Sequence, residues 1–103
     1  MGKGAIMIKI VAKTKFKEEC LGEVKALVEE LVKKSRMEDG NISYSFNQSL
    51  QDPTVMTMIE YWADKDAIDK HNASEHFRRI FPQMAQYAAG KPEIDLYTEI
   101  EFD

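Results

Sequence analysis

The chain has 103 residues, enough for one domain with a modest core (residues 1–103) and too few for two. Its 44% apolar and 31% charged residues are ordinary globular usage, which argues against a disordered or fibrous chain. With 14 basic and 18 acidic side chains the net charge is -4, and no Lys/Arg cluster alternates with aromatics, so nucleic acid is not an expected partner.

Ala5 to Lys13 alternates, with Ile6, Ile8, Ile10 and Ala12 on one face and Met7, Lys9, Val11 and Lys13 on the other, the pattern of a strand. From Phe16 the period changes. Leu21, Val24, Leu27, Val28, Leu31 and Val32 recur at three- and four-residue steps, as on one helix face, and Glu29/Lys33 and Glu30/Lys34 add ion pairs in the favourable order. Gly40 offers a stop. Ile42, Tyr44 and Phe46 alternate with Ser43, Ser45 and Asn47 as a second strand that ends near the turn at Asp52-Pro53. Thr54 to Trp62 is a third, and both its faces, Val55/Thr57/Ile59/Tyr61 and Met56/Met58/Glu60/Trp62, are largely apolar.

Asp64 to His71 reads as a short helix interrupted around Asn72-Ala73-Ser74, and Ser74 caps a second piece carrying Phe77, Ile80, Phe81, Met84 and Tyr87. Pro82 is expected to kink or restart that piece. After Gly90-Lys91-Pro92, the residues Ile94, Leu96, Thr98, Ile100 and Phe102 alternate with Asp95, Tyr97, Glu99 and Glu101 as a last strand. The order is β-α-β-β-α-β, a ferredoxin-like α+β sandwich in which four antiparallel strands carry their helices on one face. Helices cover only one side of such a sheet, so the two-faced third strand predicts a homodimer packed through the other side.

The apolar run Ala5 to Ile8 is too short for a signal-peptide core or a membrane span, and the single Cys20 cannot form an internal disulfide. Both fit a cytoplasmic protein without a membrane partner. Cys20 stands near the start of the first helix, where a helix dipole can activate a thiol, although a lone cysteine is far more often packing. Gly2 and Gly4 precede a strand rather than joining strand to helix, and no GxGxxG or GxSxG occurs, so no nucleotide cofactor is indicated.

The run from Glu60 through Trp62 to His71 carries an acid, an indole and an imidazole from a strand end into a helix. Such a junction suits a pocket for a flat, partly polar molecule, with Trp62 stacking, Glu60 accepting a proton and His71 exchanging one near neutral pH. The competing reading is structural, and composition alone favours it: Trp62 in the core, Glu60 paired with Lys9 or Lys13, His71 capping a helix. His71 and His76, five residues apart, would point about 140° apart on a continuous helix and meet only if the break at Asn72 to Ser74 turns the chain. With no HExxH or CxxC spacing, no metal is expected.

Two stretches carry a family resemblance: Glu38-Asp39-Gly40-Asn41-Ile42-Ser43-Tyr44, an acid-x-Gly lead into the second strand, and Glu60-Tyr61-Trp62 through His71 to Ser74-Glu75-His76-Phe77. Across nearly its whole length the chain resembles the antibiotic biosynthesis monooxygenase (ABM) superfamily, whose small domains form dimeric ferredoxin-like α/β barrels. The resemblance implies a pocket between sheet and helices, closed by Trp62, His71 and the Phe77/Phe81 side. It also implies oxidation of a small aromatic hydroquinone or phenol by molecular oxygen without metal or flavin. Glu60, Trp62 and His71 would then be catalytic, with Tyr44, His76, Phe77 and Phe81 binding substrate. Some quinone-forming members use an Asn, a Trp and a Tyr together, and only Trp62 has an obvious counterpart here. Haem-degrading relatives need an axial histidine that Arg78 to Ala89 lacks, so haem is not expected. Other relatives isomerise a phosphorylated quorum-sensing sugar derivative, which keeps an isomerase or lyase open beside a non-catalytic small-ligand-binding dimer.

Overall fold

The computed structural model describes residues 6–102, so Ala5, Gly2 and Gly4 lie outside the described residues. The strands are β1 (Ile8–Lys15), β2 (Asn41–Gln48), β3 (Val55–Trp62) and β4 (Glu93–Tyr97), and the helices are α1 (Leu21–Ser35), α2 (Lys65–Asn72) and α3 (Glu75–Gln86). The strands form one sheet in the order β2-β3-β1-β4 with every pairing antiparallel. This is the ferredoxin-like α+β arrangement, its second helical region divided into two short helices. None of the described helices is long and apolar enough to cross a membrane.

The two faces of β3 have different surroundings. Met56, Met58, Glu60 and Trp62 are buried beneath the helices with Ile10 and Tyr44, while Ile59 on the other face is 38% exposed and no described element covers it. From α1, Val24, Val28 and Leu31 complete the core, with Leu21, Leu27 and Val32 partly buried beside them. That is the expected stripe, and the expected pairs Glu29–Lys33 and Glu30–Lys34 form at 2.6 and 2.7 Å on the exposed side.

Several boundaries differ from expectation, each for a local reason. Phe16 directly follows the first strand rather than opening the helix: its backbone forms an isolated bridge with Ala88, and its ring is buried. A 3-10 turn, Glu18–Cys20, precedes α1. Ile42 is the extra residue of an irregularity between Asn41 and Ser43, which turns it out of the Tyr44/Phe46 face to 47% exposure. Pro82 does not restart α3, which runs through it. Pro82 and Arg78 are both exposed, so water can serve the Arg78 carbonyl left without an N–H, while Ile80 and Met84 hold the buried side. The last strand stops at Tyr97, paired with Lys9, rather than reaching Phe102. Beyond it the Thr98 hydroxyl donates to the Met7 carbonyl, and Ile100 and Phe102 are exposed.

Candidate active site

Alternation along β3 sends Glu60 and Trp62 to the same face, under the helices. Trp62 is fully buried, and its Nε1–H donates to Glu60 Oε1 at 2.9 Å. Glu60 therefore pairs with the indole rather than with Lys9 or Lys13. Tyr44 lies directly opposite Glu60 across the β2–β3 pairing. His71 arrives in the last turn of α2 and is 2% exposed. Its ring is 4.7 Å from that of Trp62, 5.4 Å from Tyr44 and 4.9 Å from Phe77. The Phe77 and Phe81 rings, one turn apart on α3, stack at 4.9 Å.

The corner between α2 and α3 decides where the histidines point. Asp64 caps α2 by accepting from Ala67 N at 2.8 Å, and Ser74 caps α3 by accepting from Phe77 N at 3.2 Å. The Ser74 hydroxyl also donates to the His71 carbonyl at 2.7 Å, tying the end of one helix to the start of the next. The break thus supplies the turn that a continuous helix would have denied. His71 Nδ1 and His76 Nε2 meet one oxygen, Glu38 Oε2, at 2.8 and 2.7 Å.

Glu38 is the residue that pattern reasoning passed over. It was visible only as the acid ahead of Gly40. Gly40 has φ +86°, and a Cβ there would stand 2.6 Å from the Ala67 side chain, so the turn needs glycine on both counts. The Gly40 carbonyl accepts from Ala63 N at 2.8 Å, fastening this turn to the start of α2 and carrying Glu38 to the histidines.

Among the described residues, Glu38, His71 and His76 form a group of metal-ligand type, with their atoms within 4.8 Å of one another. Two ligand atoms sharing one ion at about 2.0–2.1 Å sit roughly 3.3 Å apart. The 2.7 and 2.8 Å contacts here are hydrogen-bond lengths, so the three groups are closed on each other.

Between sheet and helices lies a cavity of about 40 Å³ whose lining includes Tyr44, Glu60, Phe77, Phe81, Met56 and Met58. It adjoins an apolar groove of about 290 Å³ and shares Thr14, Phe16, Phe81, Met84 and Pro92 with it. The groove is larger, but Lys91 is its one charged residue, and the ionisable Glu60 and Tyr44 belong to the inner cavity. Trp62, His71 and His76 are not in the cavity lining and stand behind Glu60, Tyr44 and Phe77. Burial pushes the Glu60 carboxyl up to about 7, against the Trp62 hydrogen bond that lowers it and with the Glu38 charge that raises it further. Burial likewise pushes the Tyr44 phenol well up, helped by the charges of Glu60 and Glu38. His71 is pushed down by burial, with Glu38 acting in the opposite direction. A buried carboxyl poised near neutrality beside aromatic walls is equipped to move a proton to or from a ring substituent.

The fold and site define a small α+β protein that encloses an acid-bearing aromatic cavity. Residues 7–83 match the family described as "Antibiotic biosynthesis monooxygenase", and the chain belongs to that family. It is 33% identical over 72 residues, 70% of this chain and 76% of the other, to "Putative monooxygenase YcnE" of Bacillus subtilis. A conserved protein from Methanosarcina mazei superimposes with a TM-score of 0.87 at 35% identity, covering 89% of this chain and 91% of that one. A solved structure described as an antibiotic biosynthesis monooxygenase gives 0.88 at 31% identity, covering 91% and 99%. Family membership gives a general monooxygenase-like function.

Proposed function

We propose that this protein is a cofactor-independent monooxygenase that oxidises a small aromatic hydroquinone or phenol with molecular oxygen. The observation that carries the reading is the Glu60 carboxyl: it lines the enclosed cavity, is held by the Trp62 indole, and titrates at about 7. Near neutral pH its ionised form takes a phenolic proton. The resulting anion is electron-rich enough to reduce dioxygen. A ring carbon beside the oxygen forms a C–O bond, the hydroperoxide takes up a proton, and loss of water leaves a new carbonyl. The balance is hydroquinone plus O₂ to hydroxyquinone plus H₂O. One oxygen atom enters the product, the other leaves as water, and all four electrons come from the substrate.

Phe77, Phe81 and Met84 supply apolar walls that hold the ring and exclude water. At about 40 Å³ the inner cavity takes a ring only if these side chains give way towards the adjoining groove, a movement that methionine allows cheaply. The uncovered sheet face, with Val11, Ile59 and Tyr61, supports a homodimer built through that surface.

The test is oxygen uptake and quinone formation with a panel of hydroquinones. Protein-dependent consumption of one O₂ per substrate, with ¹⁸O from labelled O₂ in the product, is the expected result. Turnover under strict anaerobiosis would instead establish an isomerase or lyase, and saturable quenching of Trp62 without turnover a binding protein.

A further inference from the structure

We propose that Glu38 is the positioning residue of this site: one carboxylate oxygen, shared by two imidazoles, fixes the tautomer of each and leaves His71 Nε2 as a bare, buried lone pair. What that lone pair does in turnover rests on the function proposed above. The tautomer assignment itself rests on geometry alone.

A carboxylate oxygen only accepts hydrogen bonds, and it has two lone pairs. Glu38 Oε2 lies 2.8 Å from His71 Nδ1 and 2.7 Å from His76 Nε2, so both of those nitrogens carry hydrogen. For His71 this reverses the ordinary preference of a neutral histidine, which places its hydrogen on Nε2. The remaining nitrogen, His71 Nε2, is buried and has no hydrogen-bond partner among the described residues. Were the ring charged, that atom would be a buried donor with nothing to donate to, which is the costlier arrangement. Burial acts in the same direction by disfavouring the imidazolium. The neutral Nδ1–H form follows, with an unprotonated, buried Nε2 on an imidazole packed among the Trp62, Tyr44 and Phe77 rings.

The carboxylate is held in place from both sides. Glu38 N donates to the Ser35 carbonyl and the Glu38 carbonyl accepts from Asn41 N, each at 3.1 Å, while Gly40 fastens the turn to Ala63. The groups that face His71 are Glu38 from the turn, His76 and Phe77 from α3, Tyr44 from β2 and Trp62 from β3, with Glu60 held on the far side of the Trp62 hydrogen bond. Glu38 also raises the pKa of Glu60 and of Tyr44, so its charge reaches both ionisable groups that line the cavity.

The test is a long-range ¹H–¹⁵N spectrum of the ¹⁵N-labelled full chain at pH 8, for the natural protein and for Glu38→Leu and Glu38→Asp. In the natural protein His71 should be protonated at Nδ1 and His76 at Nε2. Glu38→Leu removes the shared acceptor, so the tautomer of at least one histidine should change, and Glu38→Asp should keep both. A natural protein with hydrogen on His71 Nε2, or a Glu38→Leu spectrum with both tautomers unchanged, overturns the inference. Stoichiometric Zn²⁺ binding that Glu38→Leu abolishes also overturns it, since an ion would need the electron pairs that these hydrogens occupy. In the quinol assay Glu38→Leu should lower kcat roughly 10²-fold at nearly constant KM, with partial recovery in Glu38→Asp. Absence of quinol turnover in every protein would sink the proposed reaction and leave the tautomer result standing; normal turnover in Glu38→Leu would sink the role of Glu38 alone.

Discussion

Replacing Glu60 by Gln separates the cost of this carboxyl from its use. In the folded protein the group titrates at about 7 against an ordinary 4.5, and burial is the first cause. Between those values the folded state holds a proton that the unfolded state has released, so stability falls as pH rises through the window. It is fully present below about 4.5 and lost above about 7. At 1.36 kcal/mol per pH unit the loss is about 3 kcal/mol, a large share of a small domain's stability. The carboxamide introduced by Glu60→Gln would keep an oxygen for the Trp62 indole and carry no charge, so the variant's stability should lack this slope. Urea unfolding of both proteins at pH 4.5 and pH 8 makes the comparison, and the difference between the two proteins removes every other titrating group they share. Glu60→Gln should gain about 3 kcal/mol on the natural protein between those pH values, while losing roughly 10²-fold or more of its quinol turnover. The natural protein's kcat/KM should rise with pH through about 7. A stability difference that is the same at both pH values would refute the argument that Glu60 is buried and neutral at low pH.

Trp62→Phe keeps an aromatic ring in the core but deletes the Nε1–H that lowers the Glu60 pKa, so the rising limb of the pH–rate profile should move to higher pH. An unmoved limb would show that the indole does not tune the acid. Gly40→Ala must both strain a φ of +86° and displace Ala67, and calorimetry or urea unfolding should register a loss of about 1–3 kcal/mol. Ile59→Lys places a charge at the centre of the uncovered sheet face; sedimentation should show a monomer with unchanged far-ultraviolet circular dichroism, and a persisting dimer would move the interface elsewhere.

Periodicity carried most of the fold because each element buries one face. The stripe Val24, Val28, Leu31 and the alternation Met56, Met58, Glu60, Trp62 are statements about which side chains avoid water, and both hold in the structure. The capping role of Ser74 was legible as well, because it is a local hydrogen bond, whereas the matching cap at Asp64 emerged from the structure. Errors came where the outcome depended on neighbours outside the segment. Pro82 is tolerated because its turn of α3 faces solvent, Ile42 is turned out by the pairing of β2 with β3, and β4 ends where its pairing with β1 ends.

The roles within the site were less accessible still. Trp62 reads as a stacking platform, but full burial makes it the anchor of Glu60; His76 reads as a substrate contact, but it shares Glu38 with His71. The sequence by itself determined the elements and their order, because those follow from hydrophobic period and short-range caps. Only the tertiary structure decided which face of β3 meets the helices, and that Glu38 joins histidines 33 and 38 residues away. Such long-range contacts arise from how the turns fold back on the sheet, and no local pattern of residues encodes them.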